Sequence, residues 1–207
     1  MSAESVPQLS PQEYLKTERQ SNTKHEYLRG TLFAMAGASR WHNLVVANII
    51  GELRNQLKNT SCELYPGDMR VRIQETDLYT YPDAVVVCDP PRFEDMAGDT
   101  LLNPTVIIEV LSPSTEGYDR GAKFAHYRRI KSLQQYVLIT PDAPRIEWYT
   151  RHKESRFWYL QEVEGLEAEM VLESIACRLH LAEVFDKVEF DETERREYMA
   201  AARRMPR

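Results

Sequence analysis

Cysteine is scarce, positive charge is in deficit and long apolar runs are missing from these 207 residues. Each shortage removes a class of function. The three cysteines, Cys62, Cys88 and Cys177, lie far apart and in no metal-ligand spacing, which argues against a disulfide framework and against a zinc site. Cys88 ends an apolar run and reads as a small core residue. Lysine and arginine number 26 against 32 aspartates and glutamates, a formal charge of -6. No long-range field therefore draws in a polyanion, and nucleic-acid binding has to rest on a local basic patch or a metal. No run of about 18 apolar residues occurs, so no membrane span is expected. The segment Met1-Ser2-Ala3-Glu4-Ser5-Val6-Pro7 has neither the basic nor the apolar region of a signal peptide, and the expected compartment is the cytoplasm.

What is present is enough for one sizeable core. Hydrophobic residues make up 43% of the chain, which suits a single domain over residues 1–190 followed by a charged, helix-favouring tail over 191–207. Ser10-Pro11-Gln12-Glu13 sets a capping residue before a proline and predicts a short helix through about Lys16. The run Glu26 to Met35 reads as a hairpin broken at Arg29-Gly30. Ser39 caps a second helix whose apolar residues Leu44, Val45, Ile49, Leu53 and Leu57 form a stripe ending near Asn59.

The pattern then switches to strands over 62–65, 69–73, 84–88 and 106–110, with Pro66-Gly67-Asp68 as a turn. Val85, Val86 and Val87 are apolar on both faces, as are Val106, Ile107 and Ile108, the mark of central strands covered on both sides. A helix over 119–131 follows, then strands over 135–139, 145–149 and 157–161. This order predicts an α+β or α/β fold, a mixed sheet flanked by helices.

The chemistry lies in two of those strands. Tyr81-Pro82-Asp83-Ala84-Val85-Val86-Val87 and Val106-Ile107-Ile108-Glu109-Val110-Leu111-Ser112-Pro113-Ser114 are β-branched runs, each carrying one carboxylate. An unpartnered buried carboxylate takes up a proton rather than stay ionised, so two of them point to a shared cation or a catalytic role. Alternation puts Glu109 on one face with Ile107 and Leu111. Asp83 opens its strand behind Pro82, so both acids can meet at one end of the sheet. Lys123, in the first turns of the next helix with Tyr127 one turn on, can swing toward them. Two acids and a lysine around a divalent ion make a hydrolytic site, and oxygen-only ligation favours magnesium or manganese.

At these residues the chain resembles a known family. Tyr81-Pro82-Asp83, the strand closing on Glu-Val-Leu-Ser-Pro-Ser, Asp119-Arg120-Gly121-Ala122-Lys123 and Tyr127 resemble the Uma2 family of proposed nucleases in the PD-(D/E)XK, restriction-endonuclease-like superfamily. The resemblance implies an αβββαβ core, a metal held by the motif acids and hydrolysis of phosphodiesters, with DNA as the expected substrate. By position, Asp83 and Glu109 are the motif acids and metal ligands, and Val110 offers a backbone carbonyl ligand. The motif lysine is absent two residues after Glu109, where Leu111 stands; the relocated lysine maps onto Lys123. Glu26, in Lys24-His25-Glu26-Tyr27-Leu28, matches an acidic position and adds a third oxygen ligand. His42 is a further candidate, as a phosphate contact or an acid or base. Nucleases of this fold often pair, so a homodimer is expected, through a sheet edge or the C-terminal helix.

Each role has a plainer rival. Asp83 can cap a turn, Glu109 can pair with a structural arginine such as Arg70 or Arg72, Lys123 can be a solvated helix residue and His42 a satisfied one. Tyr127, Trp41 and Trp148 read as core aromatics. Two functions survive: a magnesium- or manganese-dependent endodeoxyribonuclease, and a catalytically inactive relative that binds or regulates a partner.

Overall fold

Ser10 fixes where the first helix, α1 (Pro11–Glu18), begins. Its hydroxyl accepts the Glu13 N–H at 3.3 Å while the Glu13 carboxylate accepts the Ser10 N–H at 2.8 Å, a reciprocal cap behind a proline suited to the first turn. The structure, a computed structural model, describes residues 9–35, 37–153 and 155–190. After α1 come β1 (His25–Leu28) and β2 (Thr31–Ala34), joined through Arg29 and Gly30. Both of these turn residues have positive φ, 46° and 92°, the geometry of a tight two-residue hairpin. Ser39 caps α2 (Arg40–Leu57), and the predicted stripe Val45, Ile49, Leu53 and Leu57 is its buried face.

Six strands follow: β3 (Glu63–Pro66), β4 (Arg70–Ile73), β5 (Leu78–Thr80), β6 (Ala84–Val87), β7 (Thr100–Leu101) and β8 (Val106–Val110). A helical segment then runs as α3 (Glu116–Tyr118), a π-helical turn Asp119–Lys123 and α4 (Phe124–Tyr127). It leads to β9 (Gln135–Thr140), β10 (Arg145–Arg151), β11 (Trp158–Glu164), β12 (Glu169–Leu172), β13 (Cys177–His180) and α5 (Leu181–Val184). Among the described residues, no helix is long and apolar enough to cross a membrane.

The principal sheet has the order β11-β10-β9-β8-β6-β3. Its one parallel pair is β8 with β9, joined by the 116–127 helix as a crossover connection requires. The series α2, β3, β6, β8, helix, β9 is the expected αβββαβ core. A second sheet, β2-β1-β5-β4-β7, stands beside it, and β12 and β13 form a separate ribbon.

Alternation sorts the central strands into two faces. Val86, Val106, Ile108 and Val110 pack with the α2 stripe, α5 and the β12–β13 ribbon. Val85, Val87, Ile107 and Leu111 pack on the other side with Val71, Ile73, Leu78 and Tyr127. Glu109 shares this second face.

Three expectations need correction. The helix read over 119–131 starts at Glu116 and ends at Tyr127. Strands β5, β7, β12 and β13 have no counterpart in the strands expected from sequence, each being only two to four residues long. Cys62 and Cys88 form a disulfide, against the expectation from their wide separation that no disulfide framework is present and against the reading of Cys88 as simply a small core residue. The next pair inward is Glu63 with Val87 on antiparallel β3 and β6, so the two cysteines flank the ladder at its end, while Cys177 is free and buried. The tail expectation over 191–207 lies outside the described residues.

Candidate active site

Lys123 is the centre of the buried charge. Its Nζ lies 2.9 Å from Glu109 Oε1, 3.3 Å from Glu26 Oε1 and 3.3 Å from Asp119 Oδ1. Three separate elements meet there: Glu109 from β8, Glu26 from β1 of the second sheet, and Asp119 with Lys123 one turn apart on the crossover helix. The wider π-helical turn spans both of the latter residues and buries both; such turns occur frequently at functional sites. Tyr127 donates its hydroxyl to Glu109 Oε1 at 2.7 Å, and Thr80 donates to Glu26.

One ammonium facing three carboxylates leaves two negative charges without a partner if all three ionise. The titration behaviour follows from that imbalance. Burial pushes the Glu109 carboxyl up to about 8; Lys123 opposes the shift, while Asp119 and Asp83 add to it. Burial also raises Asp119, again against Lys123. For Lys123 burial disfavours the charge, but Glu109, Tyr127, Glu26 and Asp119 outweigh it and hold the amine well above its usual range. Lys123 is therefore an ammonium. Burial and Glu109 keep the Tyr127 phenol protonated, consistent with its role as donor.

Asp83 stands at the mouth of this cluster. Its Oδ2 accepts the Val110 N–H at 2.8 Å and lies 3.2 Å from His42 Nε2. A backbone N–H from the residue after Glu109 thus ties Asp83 to the end of β8. His42 comes from the first turn of α2, where Ser39 accepts its N–H at 3.1 Å, and its Nδ1 is buried without a hydrogen-bond partner. Glu26, His42, Asp83, Glu109, Val110 and Lys123 all line one cavity of about 520 Å³.

All six sequence candidates line one cavity, and two of the plainer rivals, an arginine partner for Glu109 and a solvated Lys123, do not match the contacts. Arg70 pairs with Asp99, and Arg72 with Asp77 and Glu94, so neither reaches Glu109. Lys123 is buried rather than solvated. Trp148 is a core aromatic as expected, whereas Trp41 is partly buried and carries the Arg40 guanidinium 4.2 Å from its ring centre. Asp119 is a participant that sequence reasoning missed; its signal was the four-residue spacing to Lys123. Tyr127 is fully buried, as a core aromatic should be, but it also donates to the acid, which its place one turn beyond Lys123 could have suggested.

Comparison with known proteins identifies the family and the fold. The model of the Uma2 family, described as putative restriction endonuclease, matches residues 11–182. The chain belongs to the Uma2 family. Two uncharacterized proteins of Synechocystis sp. are each 38% identical to this Uma2 protein, one over 78% of its length and 91% of their own, the other over 70% and 76%. The crystal structure of a putative nuclease belonging to DUF820, from Anabaena variabilis, superposes with a TM-score of 0.69 at 21% identity, covering 86% of this chain and 98% of that one. That likeness shows a shared fold.

Among the described residues, no three histidine, cysteine, aspartate or glutamate side chains form a ready-made metal cage. The donor set still suits a hard cation that keeps most of its waters and takes only one or two protein carboxylates, as magnesium does. The surplus negative charge, and the Asp119 Oδ1 that touches the ammonium without any hydrogen bond, are what such an ion would relieve. The residues present fit a divalent metal.

Proposed function

We propose that this Uma2 protein is a nuclease that hydrolyses phosphodiester bonds, DNA by preference, with magnesium or manganese held by Asp83, Glu109 and the Val110 carbonyl, and with Glu26 as an additional oxygen donor. The observation that carries this reading is the Lys123 ammonium among Glu109, Glu26 and Asp119 in the cavity that Asp83 also lines. A purely structural ion pair needs one acid; three around one base is an arrangement that costs stability and suits a site awaiting further positive charge.

In this scheme the ion, when bound, supplies Lewis acidity and a more acidic water. The protein's own groups do the rest. Asp83 is aimed by the Val110 N–H and the His42 ring, and Glu109 by Tyr127. Lys123, a donor with no acceptor capacity, takes the place of the motif lysine lost at Leu111 and orients the attacking water or meets the charge that grows on the phosphate. His42 faces the same cavity and can offer a proton or a hydrogen bond to the departing oxygen. The reading includes a homodimer; β11, the last strand of its sheet, leaves Tyr159 and Leu160 about half exposed where a second copy could pair.

The test is cleavage of circular and single-stranded DNA with manganese by the wild type, Asp83→Ala, Glu109→Ala and Lys123→Ala. Cutting by the wild type and loss in all three variants is expected. Equal cutting by Glu109→Ala and Lys123→Ala overturns the roles assigned to those two residues. Failure of the wild type to cut any substrate favours the inactive, partner-binding relative, to which Leu111 and the charge of -6 already lend weight.

A further inference from the structure

The cavity has two unlike walls. Glu26, Asp83, Glu109 and Asp119 form its acidic side, whereas Leu28, Phe33, Ala34 and Met35 from the β1–β2 hairpin form an apolar side. Phe33 is 51% exposed and Met35 37%, an unusual place for large apolar groups on an acidic protein. Register explains how the two sides meet. Phe33 is the direct partner of Glu26 in the antiparallel ladder, so their side chains rise on the same face with Cβ atoms about 5 Å apart. Glu26 in turn touches Lys123. The aromatic ring therefore stands one cross-strand step from the charged centre.

Positive charge is almost absent from the cavity lining. Among the described residues lining the cavity, Lys123 is the only lysine or arginine, and it is buried and engaged by three acids. A polyanion cannot be held here through its phosphates alone. Beyond the contact that a bound metal ion would offer one phosphate, the source of affinity left to this chain's own surface is the flat face of a base, which stacks on an aromatic ring whatever its identity. In a duplex that face is covered by its neighbours, so the base has to be unpaired.

Resting on the nuclease reading, we propose that Phe33, flanked by Leu28 and Met35, is a stacking platform for an unpaired nucleobase next to the scissile phosphate, and that the protein selects single-stranded nucleic acid. A base joined to its phosphate through one sugar spans the step from Phe33 to the acidic wall. Substrate choice then lies in the hairpin rather than in the metal ligands.

The test measures binding of a fluorescein-labelled oligothymidylate about a dozen nucleotides long, with calcium in place of magnesium. The comparison probes are a hairpin duplex of equal length and an abasic oligonucleotide that keeps every phosphate. Phe33→Ala should weaken binding of the single strand roughly tenfold and Phe33→Trp should restore it, the size expected for one stacked base. The wild type should bind the abasic strand and the duplex about tenfold more weakly than the oligothymidylate, and Phe33→Ala should change neither. Equal affinity of wild type and Phe33→Ala for the single strand overturns the proposal, as does equal affinity of the wild type for the abasic strand or the duplex. It is likewise overturned if sedimentation shows Phe33→Ala turning a dimer into a monomer, since Phe33 would then belong to a contact between copies. If instead the stacking results hold while the wild type cleaves no DNA with manganese, the nuclease assignment fails and the base platform stands.

Discussion

The two faces of the six-stranded sheet do opposite things with the same strands. Toward α2, the side chains of Val86, Val106, Ile108 and Val110 pack in an apolar cluster, and that face stabilises the protein by removing hydrocarbon from water. Toward the second sheet, Val85, Ile107 and Leu111 alternate with them, but Glu109 interrupts the run and gathers Lys123, Tyr127 and, through Lys123, Glu26 and Asp119. A strand can thus supply hydrophobic burial on one side and hold charge in a low-dielectric pocket on the other. The charged side is tolerated because one ammonium partly neutralises three acids, and the negative charge left over is what the proposed metal would meet.

The comparison is broken most severely by removing the ammonium. Lys123→Met should destabilise the protein by about 3–5 kcal/mol in denaturant unfolding, because buried carboxylates lose their partner, and should lower manganese-dependent cleavage by about a hundredfold or more. On the opposite face, Ile108→Ala should cost about 2–5 kcal/mol through lost burial and a cavity, yet leave manganese affinity as in the wild type. If Ile108→Ala abolishes metal binding as well, the two faces are not independent. A smaller effect is expected at the strand ends. Reducing the Cys62–Cys88 bond, or Cys62→Ser, should lower stability by up to about 3 kcal/mol, since the bridge spans 26 residues, with cleavage unchanged.

The gentlest probe is pH. Glu109 releases its proton near 4.5 when unfolded but at about 8 when folded, so the folded state holds a proton that the unfolded state has lost. Without metal, stability should therefore be highest below about pH 4.5 as far as this group is concerned and should fall as pH rises toward about 8. Glu109→Gln should remove that slope, and magnesium should flatten it by favouring the ionised form. A metal-free melting temperature that rises through this window in the wild type, relative to Glu109→Gln, would contradict the burial argument.

How much of this was legible in the residues depended on whether the signal was local. The Ser10 and Ser39 caps, the Arg29-Gly30 turn and the α2 stripe follow from neighbours in sequence, and the apolar runs of β6 and β8 announce buried strands. Asp83 and Glu109 could be grouped because one adjoins and the other sits in an apolar strand, and Lys123 joined them through the resemblance to the Uma2 family. What escaped needed contact across distance. Asp119 reads as an ordinary charged helix residue until Glu109 and Glu26 are placed opposite it, and the π-helical turn that buries it has no sequence mark. Thr80 belongs to a three-residue strand too short to show a period. Cys62 and Cys88 are far apart along the chain and become neighbours only through the β3–β6 pairing.

Calorimetric titration with manganese tests the central claim most directly. The wild type should bind the ion at millimolar concentration or below, with Asp83→Ala and Glu109→Ala both losing that binding and Ile108→Ala retaining it. No heat of binding in the wild type, or equal binding by Asp83→Ala and Glu109→Ala, would contradict the account.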